Sequence, residues 1–258
     1  MKGLIFDYGA TIDSGGRHWS EVIWEGYCQV SLPVTKDHFR EAYIYAERYV
    51  QLTPAVIQPS YNFFELMQAR IGIQIDYLIN QGLLNEDILQ AALKIFSEGE
   101  VPIIDNMHDL AQHFVDIIAG YCYDYARRCT LDNIPLLEKL SDCYEIALVS
   151  NFYGNLASVI QDFGLSRCFR VVIDSAVVGV RKPDPEIFQL AIDKLHLDPK
   201  DITVIGDSYK KDIEPARELG CNAIWLRGSS WDNSDSAIEY EPTVTSLHQL
   251  FDMLQKNA

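Results

Sequence analysis

Four places where a short apolar run ends in polar residues carry the chemistry this sequence can offer. In "IFDYGATIDS", Ile5–Ser14, two apolar residues run into Asp7, with the small residues Gly9 and Ala10 close behind. A carboxylate at the end of a buried strand, beside a turn that lets a ligand come close, is placed to act as a nucleophile. In "VIGDSYKKDIEPARELG", Gly206 permits a tight strand-to-loop turn, Asp207 presents a carboxylate there, and Asp212 follows five residues later, with Ser208 between them. Two carboxylates and a hydroxyl suit a hard divalent ion, and Mg²⁺ is the usual one beside phosphates. Taken alone, Asp207 reads as well as a turn residue and Asp212 as a helix N-terminal charge; beside Asp7 the metal reading prevails. In "GVRKPDPEIFQLAI", Lys182 sits in a loop stiffened by Pro183, just ahead of a helix start at Asp184-Pro185. A lysine held there can offset carboxylate repulsion and hold a phosphate oxygen; the plain alternative is a solvated surface lysine. "LVSNF" places Ser150 and Asn151 at a further strand end, with a hydroxyl and a following backbone amide available to an oxyanion.

The elements that must position these residues alternate. Leu4–Asp7, Glu145–Ser150, Phe169–Asp174, Ile202–Asp207 and Asn222–Leu226 read as short buried strands, and Asn155–Phe163, Pro185–Leu195 and Lys211–Leu219 as amphipathic helices. Gly220 marks a helix end. This alternation predicts an α/β fold with a Rossmann-like parallel sheet covered by helices on both faces. In such a sheet ligands bind beyond the carboxyl ends of the strands, where Asp7, Ser150, Asn151 and Asp207 all fall. Residues 15–128 differ: they are rich in aromatics and helix formers, interrupted at Pro33, Pro54, Pro59 and Gly82, and lack alternating strands. We therefore expect a core of residues 1–14 and 129–258 with an all-helical domain, 15–128, inserted after the first strand. Trp19, Trp24 and Tyr27 share helical spacing that points to packing before a stacking platform.

The bulk properties narrow the classes. The 258 residues are 48% hydrophobic and 22% charged, enough for one large or two moderate globular domains. A net charge of −16 repels phosphate backbones, which argues against nucleic-acid binding and requires a local cation for any phosphorylated substrate. The N-terminal apolar run is too short for a signal peptide, and no stretch has the length of a membrane span, so a cytoplasmic protein with no membrane partner is expected. Cysteines 28, 122, 129, 143, 168 and 221 are scattered without a CxxC pair, which suits a reducing setting, and Cys122 and Cys129 read as one buried helical face.

With these residues in view, the sequence resembles the haloacid dehalogenase-like (HAD) hydrolase superfamily, of the type with a helical C1 cap. The signatures stand in that family's order: FDYGAT at Phe6–Thr11, VSN at Val149–Asn151, RKPDPEIF at Arg181–Phe188 and GDSYKKD at Gly206–Asp212. The last two, at this spacing, are the specific ones. The resemblance implies that Asp7 attacks phosphorus and becomes a transient aspartyl-phosphate. It implies that Ser150 binds the transferring phosphoryl group, that Lys182 steadies nucleophile and phosphate, and that Asp207 ligates Mg²⁺ with Asp212 ligating or supporting it. Thr11 matches the small hydroxyl residue after the nucleophile turn and, with Asn151, is a candidate substrate-binding residue. The departure is Gly9, where family phosphatases usually carry a second Asp as general acid and base. That position also ligates the metal through its backbone carbonyl, which glycine keeps, so the resemblance implies a metal set of Asp7, Gly9, Asp207 and Asp212. Ala10, where the family usually has Gly, is a smaller departure.

The expected function is a Mg²⁺-dependent phosphatase or phosphotransferase acting on a small phosphorylated metabolite, its acid and base drawn from the cap, the substrate or water. His18 and Asp13, close in sequence to the nucleophile, are candidates for that role, and His18 for substrate binding too. The favoured reading of His18 is that it caps or packs a helix beginning near Trp19, and Arg17 reads as an anion contact or a solvated charge. A dehalogenase or phosphonate-cleaving enzyme would also lack the second Asp, but the first has no use for Asp207 and Asp212. The second needs a cap lysine, for which only Lys36 and Lys94 are available. A non-catalytic protein that binds a phospho-ligand or a protein partner is the remaining alternative, against which every other core position is intact. Oligomeric state is not legible.

Overall fold

The computed structural model of the chain describes residues 2–97, 104, 106–228, 235 and 237–256. Six short runs form strands: β1 (Gly3–Phe6), β2 (Glu145–Ser150), β3 (Val171–Asp174), β4 (Ile202–Gly206), β5 (Asn222–Leu226) and β6 (Thr243–Val244). They make one sheet in the order β3-β2-β1-β4-β5-β6, parallel at every pairing. β1 and β4 are buried along their whole length, as apolar strands sandwiched on both faces must be. This is the α/β architecture the alternation predicts. Two further consequences of the order matter. Chain connections leave β1 toward β2 on one side and return to β4 on the other, so the strand order reverses at β1. The carboxyl end of β1, where Asp7 stands, is therefore the switch point at which such sheets bind ligands.

The described residues divide into two compact units, Met1–Trp19 with Ala126–Ala258, and Ser20–Tyr125. The second is helical: α1 (Trp19–Gln29), α2 (Lys36–Leu52), α3 (Phe63–Asn80), α4 (Glu86–Phe96) and the first part of α5 (Met107–Ser141). Its helices start at side chains that satisfy their free amides. Thr35 caps α2, Asn85 caps α4, and Asn62 with Glu65 forms a reciprocal capping box on α3. Phe39 packs between Trp24 and Tyr27 with ring centroids 5.3 and 5.1 Å away, so the aromatic spacing noted above serves packing. Tyr27 buries its ring and donates its hydroxyl to Gln74. The division between the units falls inside α5, a helix of 35 residues that runs on through Pro135.

In the sheet unit α6 (Leu156–Asp162), α7 (Ser175–Val178), α8 (Glu186–Leu195), α9 (Glu214–Glu218) and α10 (Leu247–Lys256) follow the strands. α8 shows why the sequence folds so. Ile187, Phe188, Ala191, Ile192 and Leu195 recur every three or four residues and form one buried cluster with Ile5, Val149 and Val204 of the sheet. The predicted helix at Lys211–Leu219 is instead a π-helical segment, Tyr209–Ile213, followed by α9. Pro215 at the start of α9 has no N–H for the preceding turn, which favours this change of pitch. All six cysteines are free thiols; Cys122 is fully buried and Cys129 half-buried along α5. No described helix is long and apolar enough to cross a membrane.

Candidate active site

At the carboxyl edge of the sheet, Asp7 follows β1, Asp207 follows β4, and Asp212 lies in the π-helical segment. A carboxylate oxygen from each lies within 4.8 Å of the other two. Lys182 is driven between them: its Nζ stands 2.6 Å from Asp7 Oδ1 and 2.6 Å from Asp212 Oδ1, with the lysine side chain almost wholly buried. Three carboxylates against one ammonium leave two negative charges without a partner inside this cluster. The electrostatic response is visible. Burial, then the Asp7 and Asp212 charges, push the Asp207 carboxyl well above the usual carboxylate range. Burial also raises Asp212, against the lowering effect of Lys182. Burial alone would lower Lys182, but Asp212 and Asp7 more than offset it and hold the amine above the usual lysine range, an ammonium at neutral pH. An all-oxygen donor set with a surplus of two negative charges fits a hard divalent cation such as Mg²⁺. Asp7, Asp207 and Asp212 are the side chains that would hold it.

Each part of the cluster is locally enforced. Gly206 is glycine for lack of room: a Cβ there would fall 2.3 Å from Asp212 Cγ, because Asp212 lies across its Cα. Ser208 donates its backbone N–H to Asp212 Oδ2 at 3.0 Å, so both oxygens of that carboxylate are held. Lys182 also lies 5.5 Å from the centroid of the buried Phe188 ring, which gives the ammonium an aromatic face. The β1 turn is tighter. Ala10 takes a left-handed conformation, φ 61°, and its amide donates to Asp13 Oδ1 at 2.9 Å, while Asp13 Oδ2 accepts from the Trp19 indole at 2.9 Å. Burial pushes the Asp13 carboxyl up to about 8.

The other sequence candidates are placed as follows. Ser150 ends β2 and is buried; its hydroxyl takes no protein partner among the described residues. Thr11 is buried, its hydroxyl at a long 3.5 Å from Asp7 Oδ2, and it lines a separate cavity of about 160 Å³ with Cys129, Asn133 and His248. Asn151, expected to meet substrate, has a different task. Its Oδ1 accepts the Lys182 N–H at 2.9 Å and its Nδ2 donates to the Lys182 carbonyl at 3.0 Å, so the amide clamps the lysine's backbone. Asp13, a candidate acid or base, has both oxygens engaged in bracing the nucleophile turn. His18 is half-buried and directly precedes α1. Gly9 lies outside the left-handed region, and a Cβ built on it meets nothing within 4 Å. Neither backbone nor packing demands glycine there.

Three supporting residues escaped the sequence reading. Asp174, at the end of β3, accepts the backbone N–H groups of Gly154, Leu156 and Ala176, and Ser175 accepts that of Phe152. Together they anchor the loop that follows Ser150. Trp225, in β5, donates its indole N–H to the Asp207 carbonyl at 2.7 Å. None of these carries a local motif, because each acts across strands distant in sequence.

Comparison with known proteins agrees with this geometry. A family model described as haloacid dehalogenase-like hydrolase matches residues 1–220. The haloacid dehalogenase-like hydrolase domain-containing protein 3 of Mus musculus is 30% identical over 121 residues, 44% of this chain and 47% of that protein. A phosphoserine phosphatase of Thermus thermophilus is 36% identical over 63 residues, 24% of this chain and 25% of that one. The matched stretch thus spans about half of the first relative and a quarter of the second. A solved dehalogenase structure, described as an intermediate complex, superposes with a TM-score of 0.59 at 16% identity over 98% of this chain and 96% of its own, a likeness of fold.

Proposed function

The chain belongs to the haloacid dehalogenase-like hydrolases, and we propose that it is a Mg²⁺-dependent phosphatase, or phosphotransferase, acting on a small phosphorylated metabolite through Asp7. The observation that carries this is the buried Lys182 bridging Asp7 and Asp212 with Asp207 beside them at the switch point of the sheet. Relatives named as phosphatases, among them the Thermus thermophilus protein, support phosphorus over halide as the target. Two metal-type carboxylates would also be superfluous for expelling halide.

In this reading an Asp7 carboxylate oxygen attacks phosphorus, the bond from phosphorus to the ester oxygen breaks, and the leaving oxygen takes a proton. Water then cleaves the aspartyl-phosphate, returning Asp7 and releasing phosphate. Lys182, 2.6 Å from Asp7 Oδ1, orients that carboxylate for attack and offsets charge on the phosphoryl oxygens; as an ammonium it cannot act as the base. The free Ser150 hydroxyl donates to a phosphoryl oxygen. A bound Mg²⁺ would supply the remaining positive charge to carboxylates and phosphoryl group, held by Asp207, Asp7 and Asp212 with the Gly9 carbonyl. With glycine at position 9, the proton for the leaving group comes from elsewhere: substrate, water or the helical unit, which serves as the cap in this reading. Hydrolysis of p-nitrophenyl phosphate tests the proposal. Activity should need Mg²⁺, vanish with EDTA and vanish in Asp7→Asn; undiminished turnover in Asp7→Asn would overturn the assigned nucleophile. A screen of phosphorylated metabolites then names the substrate.

A further inference from the structure

We propose that Trp225 is a positioning residue for the metal-binding carboxylates: its indole N–H fixes the Asp207–Ser208 peptide and, through it, both Asp207 and Asp212. The inference rests on the Mg²⁺ reading above and adds a residue with no contact to substrate.

The peptide between Asp207 and Ser208 is gripped at both ends. Its carbonyl accepts from Trp225 Nε1 at 2.7 Å, and its N–H donates to Asp212 Oδ2 at 3.0 Å. A peptide group is planar, so its two ends turn together. Holding the carbonyl on the indole therefore aims the N–H at Asp212, while the same peptide fixes the direction in which Asp207 leaves the strand. Lys182 takes the other oxygen of Asp212, and the open Cα of Gly206 lies beneath it. Removing the indole N–H leaves the Asp207 carbonyl free to turn toward another donor, and the Ser208 N–H turns away from Asp212 with it.

Trp225 is itself immobile, as an anchor must be. It pairs in register with Gly206 across β4 and β5, and the residue is 2% exposed. Tyr209 meets it edge-on at 5.6 Å between centroids, and Tyr209 in turn rests on Tyr240, whose hydroxyl bonds the Ala223 carbonyl. The Arg227 guanidinium covers the indole at 4.8 Å. A buried indole needs an acceptor for its N–H, and the fold spends that requirement on the backbone of a metal ligand.

The test titrates Mg²⁺ alone into the substrate-free full chain by calorimetry. Three proteins are compared: wild type, Trp225→Phe, and a variant with β-(3-benzothienyl)alanine at 225, which keeps the indole's shape without its N–H. Loss of one neutral hydrogen bond predicts a rise of about three- to tenfold in the Mg²⁺ dissociation constant in both variants. The isosteric variant should stay folded, its metal-free urea midpoint lowered by no more than the loss of one buried hydrogen bond, and at saturating Mg²⁺ it should keep the wild type's KM for p-nitrophenyl phosphate. Should Trp225→Phe fail to fold, the isostere carries the test. Unchanged affinity in the isostere, with wild type binding normally, overturns the inference and leaves the proposed function standing, whether or not the Phe variant weakens through packing. Failure of the wild type itself to bind Mg²⁺ overturns the metal reading and this inference with it.

Discussion

Two turns, one after β1 and one after β4, face the same cluster, and each holds a glycine close to one of its carboxylates. Gly206 is under compression: a Cβ would stand 2.3 Å from Asp212 Cγ, so the residue is glycine because another side chain occupies its space. Gly9 stands in open space in an ordinary conformation, with nothing within 4 Å of where a Cβ would be. The strained position in the β1 turn is its neighbour, Ala10, in the left-handed region where a glycine would be at ease. The difference teaches that one glycine makes room for Asp212 beside Asp207, whereas the other is required by neither the backbone nor the packing around it.

Substitution at these turns sharpens the contrast, beginning with the largest effect. Gly9→Asp should fold as the wild type does and restore an acid beside Asp7, raising Mg²⁺-dependent turnover of an alkyl phosphate by about 10²–10⁴-fold. Steady-state kinetics checks this, and an unchanged rate in a folded, Mg²⁺-binding variant would show that another group already moves the proton. Gly206→Ala should displace Asp212 from Lys182 and Ser208, lowering Mg²⁺ affinity and turnover by about 10–100-fold; Gly9→Ala, its matched control, should leave Mg²⁺ affinity unchanged. Asn151→Ala unpairs the backbone of Lys182 and should cost about 1–3 kcal/mol in urea unfolding. Ala10→Gly should relieve more left-handed strain than the added freedom of the unfolded chain costs, a net gain of roughly 0.5–1 kcal/mol in urea unfolding.

The smallest effect concerns pH. Asp13 sits in the fold with its carboxyl pushed up to about 8, above its value in an unfolded chain. The folded state therefore holds the extra proton, and stability falls as pH rises from about 4 to about 8, then levels. Asp13→Asn cannot ionise, so its urea midpoint should show a shallower fall than the wild type across that window; parallel curves would show that Asp13 is ionised in the fold throughout.

Much of the sheet was readable because its signals are local. β2 and β5 begin and end where apolar runs meet polar residues, at Glu145–Ser150 and Asn222–Leu226. β6, two residues long, and α7, a single turn, carry too little pattern to be read. The composition of Lys211–Leu219 predicts plain helix; the π-helical pitch of Tyr209–Ile213 depends on Pro215 and on Asp212 folding back to the Ser208 amide. Composition sets the bounds of the helical region at residues 15 and 128; the compact units part between Trp19 and Ser20 and between Tyr125 and Ala126, the latter within α5, where helical periodicity continues unbroken.

The candidate site divides the same way. Asp7, Ser150 and Asp207 announce themselves by residue type at strand ends, where a parallel sheet meets ligand, and Lys182 and Asp212 by the short motifs RKPDP and GDSYKKD around them. Order and spacing of these residues alone determined the family and the chemistry available. Tertiary structure decided what each neighbour does. Asn151 became a clamp on Lys182, Asp13 a brace for the turn, and Trp225 a donor to the Asp207 carbonyl. These roles arise from hydrogen bonds between strands and loops far apart in the chain, and a buried polar group takes whichever partner the sheet order brings within reach.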